Sequence, residues 1–175
     1  MIQSSILKLP VKTLAEQKRS KLLWNVRHAV SEPDFFTIGY SGRDIHSFID
    51  ILNQVGVSTL VDIRFSPISR FKPEFSKNNL KNALEVHGIA YIHRPDWGVP
   101  RDIRSFSVGK NTRDDIWDWY DANILPNVVE GNLDSFFNSM EHPIALMCVE
   151  YDPTECHRHR IFLGLERLGL RGCDL

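Results

Sequence analysis

The residues best suited to chemistry stand close together between Cys148 and Arg160, in the sequence CVEYDPTECHRHR. This stretch combines two thiols, two imidazoles and two guanidinium groups with carboxylates such as that of Glu150. An imidazole titrates near neutral pH and can exchange protons, whereas a guanidinium binds phosphate or carboxylate through a planar fork of donors. A thiol beside positive charge becomes a nucleophile when its pKa falls. The stretch therefore predicts acid–base chemistry, anion binding or thiol chemistry.

The same residues are predicted to begin a helix over residues 153–168. Asp152 is a suitable N-cap, proline suits the first helical position, and an acidic residue three positions after the cap completes a capping box. At ~100° per residue, His157 and Arg158 fall near the buried face of this helix. Cys156 points away from that face unless the first turn is distorted. The helix is thus expected to aim an imidazole and a guanidinium at the sheet.

Polar side chains also follow the other predicted strands, and an arginine stands at each of the four strand ends. Ligands bind beyond the carboxyl ends of parallel strands. Arginines outnumber acids at that edge, which favours a cleft that accepts an anion. Internal ion pairs, Asp62 with Arg64 or Glu150 with Arg158, are the alternative. The candidate residues at this edge are Ser41, Arg43, Asp62, Arg64, Ser69, Arg70, Glu150, Cys156, His157 and Arg158.

The leading hypothesis is an enzyme-like pocket for a phosphate-bearing or otherwise anionic ligand, such as a nucleotide or a nucleic acid end. Three arginines hold the negative charge, two carboxylates orient them or exchange protons, and one imidazole is the acid–base group. These roles fall respectively on Arg64, Arg70 and Arg158, on Asp62 and Glu150, and on His157.

Two other classes of function stay open. A nucleic-acid-binding or partner-binding module without catalysis would use the basic connection over residues 101–113 and the aromatic residues beside it. A thiol-dependent enzyme would use Cys156 or Cys148. A metal site is not expected, because the C-x7-C-H-x-H spacing differs from that of structural zinc sites and because Cys156 and His157 diverge on a helix. The sequence names no cofactor.

The elements that position these residues alternate between strand and helix. Predicted strands lie in FFTIGY, STLVDIRF, IAYIHR and PIALMCVE, and predicted helices cover residues 44–56, 76–88, 112–123, 126–140 and 153–168. This alternation predicts a three-layer α/β/α fold with a mostly parallel sheet of about four to five strands. Residues 33–175 are expected to form a single α/β domain. Residues 1–32 are expected to be a helical extension that packs on this domain or on a second copy, so a homo-oligomer is allowed.

Composition excludes several classes of protein. The 175 residues include 21 Lys or Arg and 22 Asp or Glu, giving a formal net charge of −1. Such a balance argues against a long-range field that attracts nucleic acid or anionic membranes, so any basic site is local. No apolar run approaches the ~20 residues of a membrane span. Three cysteines without a dense spacing indicate a reducing compartment, and a cytoplasmic protein is expected.

Five motifs in order carry a family resemblance: TIGYSGR, VDIRFSPISR, PEFS, GIAYIHRPDWG and MCVEYDPTECHRHR. Together they resemble the DUF488 family, small prokaryotic α/β proteins of unknown function, over about residues 35–170. The resemblance implies an α/β fold and a candidate site, but no reaction. Its polar positions fall here on Ser41, Asp62, Arg64, Ser69, Arg70, Tyr91, Glu150, Cys156, His157 and Arg158. Relatives usually have histidine at Tyr40 and a paired glycine at Gly98-Val99, and they continue into a further short strand where this sequence ends.

Overall fold

A computed structural model of the chain describes residues 32–106, 112–131 and 133–175. These residues form one sheet of five strands, and every neighbouring pair of strands is parallel. The strands are β1 (Phe35–Gly39), β2 (Thr59–Asp62), β3 (Ala90–His93), β4 (Ile144–Cys148) and β5 (Gly172–Asp174). Their spatial order is β3-β2-β4-β1-β5. The predicted α/β fold with a mostly parallel sheet is therefore confirmed.

Seven helices flank the sheet within the described residues. They are α1 (Ile45–Gln54), α2 (Lys77–Val86), α3 (Arg101–Phe106), α4 (Arg113–Asn123), α5 (Leu125–Val129), α6 (Leu133–Asn138) and α7 (Arg158–Arg167). Three short 3₁₀ turns, Pro73–Phe75, Pro95–Trp97 and Pro153–Glu155, follow β2, β3 and β4. Over the described part of the chain, no helix has the length and apolar character needed to cross a bilayer.

Strand β4 lies at the centre of the sheet and is buried on both faces. Ala145 and Met147 pack into the core beneath α1 and α2. Ile144, Leu146 and Cys148 face the opposite core, which α4, α5, α6 and α7 cover. A central parallel strand needs this continuous apolar sequence because both of its faces meet helices. The two cores thus hold the carboxyl ends of the strands in a fixed relation.

Two predicted helices have different bounds in the structure. The helix expected over residues 126–140 is divided into α5 and α6. The helix expected from residue 153 begins only at Arg158, because Pro153–Glu155 form a 3₁₀ turn and Cys156 after it is extended. The short strand β5 pairs with β1, so this edge of the sheet is present. The predicted N-terminal extension lies outside the described residues, apart from residue 32.

Leu146→Ala is expected to lower the free energy of unfolding by about 2–5 kcal/mol, because Leu146 is fully buried in the middle of β4 and its loss leaves a cavity. Urea unfolding followed by circular dichroism measures the change. Leu168→Ala is the matched control, since Leu168 is about half exposed after α7, and it should change stability by about 0.5 kcal/mol or less. Similar losses in the two variants would contradict the central position of β4.

Candidate functional site

The carboxyl edge of the sheet gathers the polar residues that follow β1, β2 and β4. The register pairs Gly39 with Cys148 and Asp62 with Met147, so these three strands end at nearly the same level. Beyond β1, the backbone N–H of Ser41 donates to the carbonyl of Val149 at 2.8 Å. The segments after β1 and β4 therefore leave the sheet side by side.

A buried ion pair anchors the segment that follows β2. Arg64 donates from Nε and Nη2 to the two carboxylate oxygens of Asp62, at 2.8 and 2.6 Å, and both side chains are almost wholly inaccessible. Arg64 Nη2 also donates to the carbonyl of Phe75 at 2.9 Å, and the Tyr91 hydroxyl donates to Asp62 at 2.6 Å. The predicted internal pair between Asp62 and Arg64 is therefore present, and it leaves Arg64 directed into the protein.

The electrostatics of this pair explain why Arg64 keeps its charge. Burial disfavours the charged guanidinium, but the hydrogen bonds and charge of Asp62 outweigh that cost and raise the pKa of Arg64. Burial, followed by the charge of Asp62, raises the pKa of Tyr91 well above its usual range. Tyr91 consequently stays protonated and remains a donor to Asp62.

Arg158 is also buried, but its partners are backbone carbonyls. It donates from Nη1 to the carbonyl of Glu150 and from Nη2 to the carbonyl of Tyr151, the latter at 2.9 Å. Its Nε has no hydrogen-bond partner among the described residues. A Cβ added at Gly39 would lie 1.7 Å from the Glu150 carbonyl oxygen and 2.9 Å from Arg158 Nη1. Glycine at position 39 is thus what allows this guanidinium to reach the segment after β4.

Two thiols and an imidazole meet just beyond the end of β4. Cys148 Sγ lies 3.7 Å from Nδ1 and 3.8 Å from Nε2 of His157, and 3.8 Å from Oε2 of Glu150. One ligand atom each of Cys148, Cys156 and His157 lie within 4.8 Å of one another, and all three residues are buried. His157 Nε2 also lies 3.2 Å from the carbonyl oxygen of Ile63. A carbonyl only accepts, so Nε2 carries the hydrogen of this bond.

The inward position of Cys156 results from a break in the chain before α7. Asp152 caps the 3₁₀ turn by accepting from Thr154 N–H at 2.8 Å, and it does not cap the α-helix. Cys156 is then extended, with φ −127° and ψ 145°, and the helical conformation resumes at His157. Cys156 and His157 therefore do not diverge as they would on a continuous helix. The predicted capping of the whole helix by Asp152 is wrong, whereas the burial of His157 and Arg158 agrees with the sequence analysis.

A cleft of about 360 Å³ borders this cluster. Glu150 and His157 form one part of its wall, and Arg104 and Arg113 another. Its remaining described lining residues are Val99, Ile116, Trp117 and Glu155. Both arginines belong to the basic connection over residues 101–113, and Trp117 is one of the aromatic residues beside it. These residues do not directly follow a strand. The rule that ligands bind beyond the carboxyl ends of parallel strands therefore could not predict them.

The other predicted site residues lie apart from the lining of this cleft. Arg43 donates from Nη2 to the carbonyl of Leu175 at 2.9 Å, and its guanidinium carbon lies 5.1 Å from the ring centroid of Tyr151. Arg70 is exposed, and the backbone N–H of Ser69 donates to the hydroxyl of Ser76 at 3.1 Å. The arginines predicted to share one hollow thus occupy separate environments.

Burial sets the state of the groups in the thiol cluster. It raises the pKa of Cys156 well above the usual range, and the neighbouring Cys148 adds to this effect while His157 opposes it. Burial likewise raises the pKa of Tyr120, whose hydroxyl donates to the carbonyl of Trp97 at 2.7 Å. A reactive cysteine is usually partly exposed with a lowered pKa. As a bare thiol, Cys156 lacks both properties of an activated nucleophile, and Cys148 is fully buried.

Together, the fold and site define an α/β protein with a parallel sheet and a polar cleft at the carboxyl ends of its strands. The family model described as "Domain of unknown function DUF488" matches residues 44–162, and the chain belongs to this family. No curated protein and no solved structure matches the chain significantly.

Asp62→Asn is expected to lower the free energy of unfolding by about 3–5 kcal/mol, because it leaves the Arg64 guanidinium buried without a counter-charge. Asp96→Asn provides the matched control. It removes the same charge from the pair of Arg94 and Asp96, which is partly exposed and should contribute about 1 kcal/mol or less. Equal urea midpoints for the two variants would show that the buried pair does not stabilise the edge of the sheet.

Proposed function

We propose that this DUF488 protein binds a small phosphate-bearing organic molecule, such as a nucleotide, in the cleft beside His157. The observation that carries the proposal is the combination of two arginines with an apolar wall around one cavity at the carboxyl edge of the sheet. Ligand sites in proteins are typically concave and largely apolar, with a few polar groups that fix the orientation of the ligand. The cleft has both kinds of lining.

The charged groups at the cleft suit an exchange of partners on binding. Arg113 Nη1 lies 3.1 Å from Oε1 of Glu155, and each side chain is about half exposed. An exposed pair of this kind contributes only about 0–1 kcal/mol. A phosphate group can therefore replace the Glu155 carboxylate on Arg113 at little cost and form stronger charge-assisted hydrogen bonds. Arg104 adds a second cation to the same wall.

The apolar part of the lining suits the organic part of such a ligand. Val99 lies on one side, and Ile116 and Trp117 come from α4. An indole ring offers a flat surface on which a base can stack, worth about 1–3 kcal/mol per base. Glu150 and His157 lie at the same cavity, where they would meet the part of the ligand farthest from solvent.

The buried arginines have a different role in this proposal. Arg64 binds Asp62, and Arg158 binds the carbonyls of Glu150 and Tyr151, so both guanidinium groups are already engaged. We infer that they shape the edge of the sheet and thereby hold Glu150 and His157 in position. The ligand's charge is then held mainly by Arg104 and Arg113.

Nucleoside phosphates are expected to raise the melting temperature of the protein. At 100 times the dissociation constant, a ligand adds about 2.7 kcal/mol of stability, which corresponds to roughly 5–11 °C for a domain of this size. Differential scanning fluorimetry with inorganic phosphate, nucleoside mono-, di- and triphosphates and a 5′-phosphorylated dinucleotide tests the proposal. If none of them shifts the melting temperature at millimolar concentration, the proposal fails.

Two variants of one ion pair should change the affinity in opposite directions. Arg113→Ala removes a cation that binds phosphate and should weaken binding by at least about tenfold. Glu155→Gln removes the competing carboxylate and should strengthen binding. Arg167→Ala is the control, because Arg167 is an exposed arginine in the last turn of α7, and it should leave the affinity unchanged. Isothermal titration calorimetry with the best ligand gives the three values. Equal weakening by Arg113→Ala and Arg167→Ala would indicate non-specific electrostatic binding.

A longer nucleic acid is distinguished by its salt dependence. A strand held along its backbone contacts several phosphates, and its affinity falls steeply with salt concentration. A nucleotide or a single phosphorylated end contacts one group in the cleft and should show a shallow dependence. Fluorescence anisotropy with a labelled oligonucleotide, with and without its 5′-phosphate, separates the two. If the affinity falls steeply with salt and is the same with and without the 5′-phosphate, a nucleic-acid-binding module is favoured over the proposed cleft.

A further inference from the structure

We infer that Cys148, Cys156 and His157 form a binding site for a single divalent transition-metal ion such as Zn²⁺. The three side chains come from the end of β4 and from the break before α7, and they meet in the interior beside the cleft. Their ligand atoms lie within 4.8 Å of one another. This inference goes beyond the proposed ligand cleft and does not depend on it.

The separations suit a tetrahedral ion. With Zn–S near 2.3 Å and Zn–N near 2.1 Å, a sulfur and a nitrogen that share a tetrahedral zinc lie about 3.6 Å apart. The observed distance between Cys148 Sγ and His157 Nδ1 is 3.7 Å. This pair of atoms already has the separation that a tetrahedral ion requires, and the other ligand atoms of the cluster lie within 4.8 Å of one another.

The imidazole of His157 is oriented as metal-binding imidazoles usually are. Such a histidine donates its second ring N–H to a carbonyl or carboxylate, which fixes the ring and leaves the other nitrogen free to bind. Here Nε2 donates to the carbonyl of Ile63 at 3.2 Å. Nδ1 then carries the lone pair, and Cys148 Sγ lies almost equally far from the two ring nitrogens.

The backbone before α7 places Cys156 at this site. A regular helix would turn Cys156 away from His157, but the extended conformation of Cys156 buries its thiol beside Cys148. The chain thus interrupts a helix at the residue whose side chain completes the set of ligands. Two cysteines in an ordinary apolar core would not require this interruption.

The kinds of ligand select the ion. Thiolate is a soft ligand and imidazole an intermediate one, a set that suits zinc and excludes magnesium and calcium, which take oxygen ligands. Two thiolates also balance the charge of a divalent ion, so the buried site becomes neutral once the thiols lose their protons to solvent. The ion supplies the energy for that deprotonation.

Glu150 is the nearest source of a further ligand for such an ion. Glu150 Oε2 lies 3.8 Å from Cys148 Sγ, and Glu150 and His157 both line the cleft. Three protein ligands with a fourth position open to solvent is the arrangement of catalytic zinc sites, whereas structural sites are closed by four. A water molecule or an anionic group in the cleft is thus able to complete the coordination.

The test uses the full chain, freed of any affinity tag, treated with a chelator and a reductant and then reloaded with Zn²⁺ or Co²⁺. Elemental analysis after gel filtration should find about one ion per chain. The Co²⁺ form should show thiolate-to-cobalt charge-transfer absorption in the near ultraviolet and the intense visible bands of a four-coordinate ion. Zn²⁺ should also raise the melting temperature, as expected for an ion that binds only the folded chain.

Variants of the three cysteines provide a matched comparison. Cys148→Ser and Cys156→Ser each leave one thiolate, so each should clearly lower the charge-transfer absorption and weaken Zn²⁺ binding by at least about tenfold. Cys173→Ser removes the third, partly exposed cysteine and should retain both properties. Arg113→Ala should also retain them, which separates failure of the metal site from failure of the proposed cleft. If the buried variants do not fold, mercurial titration of the intact Zn²⁺ form, with release of zinc followed by a chromogenic chelator, replaces them.

Three results would overturn the inference. The first is that the reloaded chain contains no stoichiometric metal and its Co²⁺ spectrum shows no thiolate band. The second is a band that keeps its full intensity in Cys148→Ser and Cys156→Ser but is lost in Cys173→Ser. The third is that mass spectrometry finds Cys148 and Cys156 joined as a disulfide in reduced preparations, or finds one of them selectively alkylated in the folded, metal-loaded chain.

Discussion

The buried ion pair between Asp62 and Arg64 is the interaction on which the carboxyl edge of the sheet depends. It ties the end of β2 to the 3₁₀ turn at Phe75 through the carbonyl that Arg64 also binds, and to β3 through the Tyr91 hydroxyl. The carbonyl of Arg64 in turn lies 2.9 Å from Nε2 of His93, which follows on the same strand as Tyr91. Loss of one partner of such a pair costs more than the intact pair contributes in net stability, because desolvation of both charges offsets their attraction.

The arginines near the site differ in their burial and therefore in their partners. Arg64 and Arg158 are held inside the protein, where Asp62 and backbone carbonyls accept their hydrogen bonds. The arginines at the cleft, Arg104 and Arg113, come from helices that cover the sheet and are exposed to solvent. The inner set binds groups within the protein, and the outer set lines the cleft.

Much of the fold could be predicted from the sequence, because alternating apolar strands and amphipathic helices have only a few arrangements around a parallel sheet. Residues that end strands could also be placed at one edge, and Glu150 and His157 indeed line the cleft there. The partners of the arginines could not be predicted, since a backbone carbonyl such as that of Glu150 has no signature in a sequence. The inward position of Cys156 could not be predicted either. It depends on Cys156 being extended between the 3₁₀ turn and His157, where the helical conformation resumes. The cleft could not be predicted for a third reason, because its arginines and Trp117 are brought to the edge of the sheet by the packing of α3 and α4.

The connection from Cys148 to Arg158 has little freedom in its length. Within it, Glu150 and Tyr151 offer carbonyls to Arg158, while Cys156 must return to Cys148 before α7 begins. An insertion or deletion of a single residue here would have to be absorbed without displacing these two carbonyls or the Cys156 thiol. Natural variation in this family should therefore change residue types within the connection far more readily than its number of residues, so the spacing itself is a diagnostic feature of the site.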